Sequence, residues 1–334
     1  MGKRKICKIV FVILSIFLCV AFYELFGICI AYKKQPEVSN TIKKETQNDS
    51  WNERSENMER AVIIEKNPEA LLQRVRLIRN AKEDIILSTF AFQSDESGKL
   101  ILGALHDAAD RGVHIRLLVD GMESWIDMEG NPYFYGLSSH ENVEIKLYNK
   151  ANPLKPWKMM GRMHDKYLIA DGKRYILGGR NTYNYFLGDF PGHKNYDRDV
   201  LVVCDEPEKE NSVNQLLEYF ETIWEQEDSG YFHDNKKLAN RKSVKNAVLE
   251  LQNGYQKYFE ENKERICDTD YTDETFETEK IALVSNPIHT GSKEPVVWYQ
   301  LGELMKNAKN RVKIHTPYII CNDMMYNTWE EIAE

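Results

Sequence analysis

The chain has 334 residues, of which 42% are hydrophobic and 29% are charged, and its formal net charge is -8. This length suffices for one large domain or two ordinary ones, and the composition is globular beyond the N-terminal part. The acidic balance disfavours a protein that binds nucleic acid irrespective of sequence, because such proteins usually carry a basic field.

An apolar segment near the N-terminus predicts a membrane-spanning helix. Residues 9–32 are apolar, small or aromatic apart from Glu24, and such a run can cross a bilayer core of about 30 Å. More basic residues precede the run than follow it, which favours a cytoplasmic N-terminus and an extracytoplasmic main domain. A cleaved signal peptide is the alternative, although no small-x-small cleavage site stands out. We predict a single-pass cell-membrane anchor over residues 1–34 and a flexible polar linker over residues 35–60.

Strand and helix patterns alternate through residues 61–228. Helices are predicted from Asn67-Pro68 onward, over residues 99–112 and over residues 212–226. Strands are predicted over residues 84–92, 113–121, 143–148 and 199–205. This alternation predicts an α/β domain with a mixed sheet flanked by helices. Residues 229–279 are charged, and we predict a linker there with a helix near residues 244–263.

Residues 280–334 resemble the start of this domain. The run NAKEDIILSTFAF from Asn80 aligns without a gap with NAKNRVKIHTPYII from Asn307, and both follow an amphipathic helix. The repeat predicts the beginning of a second, truncated α/β copy, with a strand after Asn307. Chance similarity is the alternative, because helix-to-strand joints are common in α/β folds.

The stretch RMHDKYLIADGKRYILGGRN, residues 162–181, carries a pattern of chemically active residues. A histidine, a lysine and an aspartate are followed by a glycine pair and an asparagine: His164, Lys166, Asp171, Gly178, Gly179 and Asn181. We predict a strand over residues 163–170, a turn at Asp171-Gly172 and a return strand over residues 174–177. Alternation along the strand would place His164 and Lys166 on one face, about 6–7 Å apart.

These side chains suit chemistry at a phosphate. His164 can act as a nucleophile or an acid, while Lys166 and Asn181 supply donors for charge on phosphate oxygens. The glycine pair would let a ligand approach the backbone closely. Asp171 is expected to form the turn rather than to act in catalysis. We expect no metal, because the His164-Asp165 pair lies in a predicted strand without further ligands.

The pattern resembles the phospholipase D superfamily, whose mark is H-x-K-x4-D followed six residues later by G-[GS]-x-N. The likeness covers about residues 68–205 and returns over residues 280–334, and RMHxK and GGRN look most like bacterial cardiolipin synthases. The resemblance implies catalysis without a cofactor, in which one histidine forms a phosphohistidine and a second protonates the leaving alcohol. It also implies that Asp197 orients the nucleophilic histidine, although an acid at a strand start is an alternative interpretation.

The resemblance further implies a phosphatidyltransferase or phospholipase that acts on an anionic membrane phospholipid such as phosphatidylglycerol. Arg162 and Arg180 are candidates for binding the head group. A phosphodiesterase that cleaves nucleic acid and a non-catalytic remnant are the alternatives.

A second H-x-K segment is absent from these 334 residues. We therefore expect one of three situations: a natural protein that continues past Glu334, a homodimer that brings two copies of His164 together, or an inactive chain. The single chain by itself is expected to be inactive.

Overall fold

A computed structural model of the chain describes residues 3–48, 59–204, 211–233, 235–316 and 318–333. The chain divides into two units. The larger unit spans Ser55–Leu154 and Met159–Ala282, and it contains every residue predicted to act in the site. The smaller unit combines Met1–Arg54, Lys155–Lys158 and Leu283–Glu334.

The strands of the larger unit form a nine-stranded mixed sheet among the described residues. They are β1 Arg60–Ile64, β2 Asp84–Thr89, β3 His114–Asp120, β4 Val143–Tyr148, β5 Tyr167–Ala170, β6 Arg174–Gly178, β7 Asp199–Val203, β8 Ser229–Tyr231 and β9 Phe276–Glu277. Their order is β8-β4-β3-β2-β5-β6-β7-β1-β9. β2, β3 and β4 are parallel and joined by helical crossovers, whereas β5, β6 and β7 form an antiparallel meander beside β2. The predicted mixed α/β sheet is confirmed.

Helices flank this sheet and make up most of the smaller unit. In chain order they are α1 Lys3–Ala31, α2 Asn40–Asn48, α3 Asn67–Asn80, α4 Glu96–Asp110, α5 Gly121–Asp127, α6 Pro132–Ser138, α7 Ser212–Trp224, α8 Lys242–Glu261, α9 Lys263–Cys267, α10 Val296–Lys306 and α11 Asp323–Ala333. Pro156–Lys158 and Lys236–Asn240 form short 3-10 helices.

The two faces of the sheet are covered by different helices. Ile85 and Leu87 of β2 belong to the main core together with the apolar residues of α3 and α4. Tyr167 of β5 instead packs edge-to-face on Tyr219 of α7, with ring centroids 6.4 Å apart. Successive side chains of a strand point to opposite faces, so both faces must be buried, as near-continuous apolar strands such as DIILST require.

Residues 229–279 are not a separate linker, contrary to the prediction. β8 pairs with β4, and β9 pairs with β1. α8 carries its charges on one side and buries Leu251 and Tyr255 in the core of the larger unit on the other. Gly103 of α4 allows this contact, because a Cβ there would lie 2.7 Å from the Leu251 carbonyl oxygen. The apolar residues of this charged segment recur at helical spacing, so they pack on the core and the domain continues beyond residue 228.

In the smaller unit, α1 has the length and composition of a membrane-spanning helix. Its apolar part covers 27 residues, Lys5–Ala31, which at 1.5 Å per residue gives about 40 Å and exceeds a bilayer core. The predicted flexible linker is wrong where α2 forms over Asn40–Asn48. Residues 35–39 of that linker have no regular secondary structure, Arg60 begins β1, and residues 49–58 lie outside the described residues.

The predicted second copy is matched only in its helix. α10 ends at Lys306, just before Asn307, as the repeat predicts. The expected strand does not form, because the described residues of the smaller unit contain no other strand to pair with, and an extended backbone needs such a partner.

Candidate active site

His164 lies in the segment that leads into β5, not within the strand as predicted. β5 begins only at Tyr167, although the Lys166 carbonyl still accepts a hydrogen bond from the Gly178 N–H at 3.1 Å. The His164 side chain is exposed, while Lys166 is buried. The two residues therefore differ in access to solvent, which simple alternation along a strand did not predict.

Asp120, at the end of β3, holds this segment in place. Its carboxylate is buried and accepts the backbone N–H of Met163 at 3.1 Å. It also accepts two hydrogen bonds from Nε of Arg162, at 2.9 and 3.0 Å. One carboxylate thus fixes the two residues that precede His164. Asp120 was not among the predicted site residues, although a carboxylate at the end of an apolar strand is a usable signal in the sequence.

Phe90, directly after β2, is a second residue that the sequence analysis missed. Its ring centroid lies 4.6 Å from that of His164, with an edge-to-face angle of 64°. The same ring lies 5.4 Å from Nζ of Lys166 and 4.9 Å from the guanidinium carbon of Arg162. Phe90 therefore covers one side of the histidine and contacts both cations.

This environment lowers the pKa of both predicted catalytic groups. Although the His164 side chain is exposed overall, partial desolvation of its ring, which Phe90 covers on one side, is the main cause that lowers its pKa below the ordinary 6.5. The nearby Lys166 and Arg162 charges lower this pKa further, and Asp120 opposes the shift. Burial lowers the pKa of Lys166 from 10.5 to about 8, although the negative charges of Asp165 and Asp197 oppose the shift. At neutral pH the site therefore presents a neutral imidazole beside an ammonium group.

The Lys166 ammonium and the Asn181 amide oxygen each form a hydrogen bond with a backbone group. Nζ of Lys166 donates to the His164 carbonyl oxygen at 2.6 Å. Oδ1 of Asn181 accepts the Ala91 N–H at 3.2 Å, beside Phe90. Phe90 thus lies between the segment that carries His164 and Lys166 and the Ala91 N–H that Asn181 accepts.

The glycine pair makes room for aspartates rather than for a ligand, contrary to the expectation. A Cβ at Gly178 would overlap the Asp199 carboxylate and lie 2.6 Å from the Arg198 carbonyl oxygen. A Cβ at Gly179 would lie 2.5 Å from Cγ of Asp197. The absence of side chains at both positions lets these two carboxylates pack against the backbone.

Asp197 is not placed to orient His164 in the structure. In the described part of the chain no hydrogen bond or ion pair joins them; Asp197 packs on Gly179 and accepts the Arg198 N–H at 2.7 Å. Its electrostatic effect falls on Lys166, whose pKa it raises. Asp197 therefore supports the charged form of the lysine.

Arg180 is a structural residue, so its prediction as a head-group ligand is wrong. Its side chain is fully buried and forms an ion pair with Asp199 at 3.2 Å. It also donates to the carbonyl oxygens of Ile64, Glu65 and Asp197. A guanidinium with these internal acceptors is not available to a solvent-borne ligand.

Arg162 is closer to the site, but acidic partners already occupy it. Besides Asp120, its Nη2 pairs with Glu123 at 3.0 Å. These carboxylates compensate its charge, so the structure does not present Arg162 as an open phosphate-binding cation.

Asp171 behaves as the turn-forming residue that we predicted. Asp171 and Gly172 both have positive φ, 52° and 57°, and the Lys173 N–H closes the turn on the Ala170 carbonyl at 3.1 Å. The Asp171 carboxylate accepts the backbone N–H groups of residues 82, 83 and 84 at 2.8–3.1 Å. It therefore joins the hairpin to the start of β2. Among the described residues, no cluster of three or more His, Cys, Asp or Glu side chains is arranged to hold a metal ion.

Comparison with known proteins finds relatives of the part of the chain that carries this site. The family model described as "Cardiolipin synthase, PLD-like domain" matches residues 74–224. Cardiolipin synthase C of Escherichia coli is 29% identical over 171 residues, which is 47% of this chain and 34% of that protein. Cardiolipin synthase 1 of Staphylococcus aureus is 35% identical over 112 residues, 33% of this chain and 22% of that protein.

An uncharacterized protein of Helicobacter pylori is 30% identical over 212 residues, 59% of this chain and 39% of its own length. The chain therefore spans well under two thirds of the length of each of these relatives. The matched segment nevertheless contains β2 to β7, Phe90, Asp120 and the whole His164–Asn181 stretch. Residues 74–224 of this chain are therefore similar to the phospholipase D-like domain of the cardiolipin synthases.

Proposed function

We propose that the protein is a membrane-anchored phosphatidyltransferase or phospholipase of the phospholipase D type, with phosphatidylglycerol converted to cardiolipin as its reaction. The observation that supports this most is the pairing of an exposed imidazole of lowered pKa with a buried ammonium group, 4.6 and 5.4 Å from one phenyl ring. That pairing lies within residues 74–224, which match the phospholipase D-like domain of cardiolipin synthases.

The proposed reaction has two displacements at phosphorus. An unprotonated ring nitrogen of His164 attacks the phosphorus, forming a P–N bond while the bond to the alcohol oxygen breaks. A second histidine gives its proton to the departing alkoxide. An acceptor alcohol or water then loses a proton to that same histidine and displaces His164, which restores both groups.

The remaining side chains serve the charge on the phosphate. Lys166 keeps its positive charge below about pH 8, and the Asn181 side chain is held at the adjoining backbone. Both are fixed before a substrate arrives, so little reorganisation opposes their interaction with the developing charge. Asp197 maintains the lysine in its charged form.

The second histidine is proposed to come from another copy of the chain. Residues 1–334 contain one H-x-K segment, and His164 stands exposed at the surface of the larger unit. An exposed histidine can meet its equivalent across a two-fold axis, as a C2 dimer requires. We propose this homodimer as the active form of the chain.

The location is proposed from α1 and the charge around it. Lys3, Arg4, Lys5 and Lys8 precede the apolar run, whereas Lys33 and Lys34 follow it. This bias supports a cytoplasmic N-terminus and an extracytoplasmic larger unit.

The test uses the full chain reconstituted in vesicles that contain labelled phosphatidylglycerol. Cardiolipin with free glycerol would identify transfer, and phosphatidic acid with free glycerol would identify hydrolysis. His164→Ala should abolish either product, whereas His114→Ala, at another exposed histidine, should not. A folded wild-type chain that forms none of these products would refute the proposal. Cleavage of single-stranded DNA instead, lost in His164→Ala, would assign the alternative phosphodiesterase function.

A further inference from the structure

Helix α5 exposes two large apolar side chains in the described part of the larger unit. Trp125 is 69% exposed and Ile126 is 67% exposed. In this helix, the buried residues are only Gly121 and Ser124. A short helix that turns its largest apolar residues to solvent is unusual for a surface that meets only water.

α5 is attached directly to the candidate active site. Asp120 accepts the Met122 and Glu123 N–H groups at the start of the helix, at 3.0 and 3.3 Å. The same carboxylate holds Arg162, and Glu123 pairs with that arginine at 3.0 Å. The exposed pair therefore lies on an element that is fixed to the residue two positions before His164.

Two further exposed apolar residues flank segments of the same site. Met160 is 58% exposed, two residues before Arg162. Tyr196 is 75% exposed and immediately precedes Asp197, whose charge acts on Lys166. We name Trp125, Ile126, Met160 and Tyr196 the apolar rim. Scattered single apolar residues are normal on a surface, but each of these four lies within three residues in the chain of Glu123, Arg162 or Asp197.

The composition of the rim indicates what it contacts. The rim has no cation of its own, and the neighbouring Glu123 is already paired with Arg162. A surface of this kind does not attract a polyanion by charge. Trp, Tyr and Met beside aliphatic carbon suit the boundary between lipid head groups and acyl chains.

The same chain supplies an independent reason for a lipid partner. α1 is long and apolar enough to cross a bilayer, so the larger unit belongs to a chain that has its own means of staying at a membrane. A weak apolar contact is then sufficient, because the tether raises the effective concentration of lipid around the rim.

We infer that the apolar rim inserts into the head-group and acyl-chain boundary of the bilayer and brings His164 to the depth of the lipid phosphates. The insertion itself stands on the exposed rim and α1; its link to catalysis rests on the proposed function. Because the contact is apolar, it should depend little on salt concentration.

The first experiment locates Trp125 without using activity. The fluorescence of the wild-type chain in phosphatidylglycerol and phosphatidylcholine vesicles minus that of Trp125→Phe gives the contribution of Trp125. Lipids brominated near the top of the acyl chains should quench this contribution, and aqueous iodide should not. The matched difference for Trp224→Phe, a buried residue of α7, should show no lipid quenching. Quenching of the Trp125 contribution by iodide and not by brominated lipid would overturn the inference.

The second experiment links the rim to turnover. In Trp125→Ser/Ile126→Ser, the ratio of vesicle turnover to turnover of soluble bis(4-nitrophenyl) phosphate should fall about tenfold, since two large apolar contacts with lipid are lost. Phe276→Ser, at a 72% exposed residue of β9, should leave the ratio unchanged. An unchanged ratio in the double variant would overturn the inference. A wild-type chain without any turnover would refute the proposed function, while the fluorescence result would still decide the insertion.

Discussion

The phenyl ring of Phe90 meets the imidazole of His164 edge-to-face, with their centroids 4.6 Å apart. The ring belongs to the residue that directly follows β2, so its position is set by the sheet. It removes water from one side of the histidine and from the neighbouring Lys166, and both groups consequently have a lowered pKa.

Replacing Phe90 by Ala should therefore raise both pKa values. Water would reach the two charged forms more easily, so the pKa of His164 should move toward 6.5 and that of Lys166 above about 8. NMR titration of the His164 ring protons measures the first shift. Phe190→Ala replaces another half-buried phenylalanine and is the control. It should leave the pKa of His164 unchanged. An unaltered His164 titration in Phe90→Ala would contradict this account of the site.

The rate of the proposed reaction should be bell-shaped in pH. Attack requires one neutral copy of His164, so the rate should rise toward a pKa below 6.5, and it should begin to fall above that pKa as the copy that acts as the acid loses its proton. Phosphate stabilisation requires charged Lys166, so a further fall is expected as the pH passes about 8. Lys166→Arg retains its charge at high pH, so the alkaline fall should move upward even if turnover is slower. Lys146→Arg, on β4, should not move it. If the rate of Lys166→Arg still falls near pH 8, the loss of activity at alkaline pH must come from the titration of another group.

Gly178 should be intolerant of a side chain. A Cβ added at Gly178 would lie 2.6 Å from the Arg198 carbonyl oxygen and 2.7 Å from Cα of Asp199. Both are backbone atoms, so β7 would have to shift. Gly178→Ala should lower the free energy of unfolding by about 1–3 kcal/mol. Gly254→Ala, where a Cβ meets nothing within 4 Å in α8, should raise it by about 1 kcal/mol. Denaturant unfolding followed by circular dichroism measures both, and equal effects would contradict the packing described for the glycine pair.

Arg180 should matter to stability far more than an exposed arginine nearby. Arg180→Met removes a buried partner of Asp199 and should destabilise the chain by about 3–5 kcal/mol. Arg198→Met removes an exposed pair with Glu65 and should cost less than about 1 kcal/mol. Unfolding midpoints compare the two variants. A folded Arg180→Met chain of wild-type stability that binds phosphatidylglycerol less tightly would restore the head-group role that the structure argues against.

The homodimer can be tested by mixing. His164→Ala chains in excess are mixed with wild type before reconstitution, and turnover is followed against the wild-type fraction. If two copies of His164 form one site, activity should fall as the square of that fraction, because mixed dimers lack one group and general acid assistance alone is worth about 10²–10⁴-fold. A linear fall would show that each chain carries a complete site.

The sequence by itself determined the α/β class, the candidate His164, Lys166 and Asn181, and the turn at Asp171. These follow from local rules: the apolar period of strands and helices, the positive φ tolerated by Asp and Gly, and the spacing of residues able to handle phosphate. The apolar length of α1 was likewise readable as a possible span, because length and hydropathy are sums over neighbouring residues.

Only the tertiary structure decided which charges face the site and which support it. Arg162 and Arg180 have similar sequence contexts, yet Asp120 and Glu123 neutralise the first at the surface, and Asp199 holds the second inside the protein. Phe90 and Asp120 come from strands far from residue 164 in the chain, and they meet His164 because β2 lies between β3 and β5. Burial and the sign of neighbouring charges depend on such long-range pairings, so no local pattern in the sequence contains them.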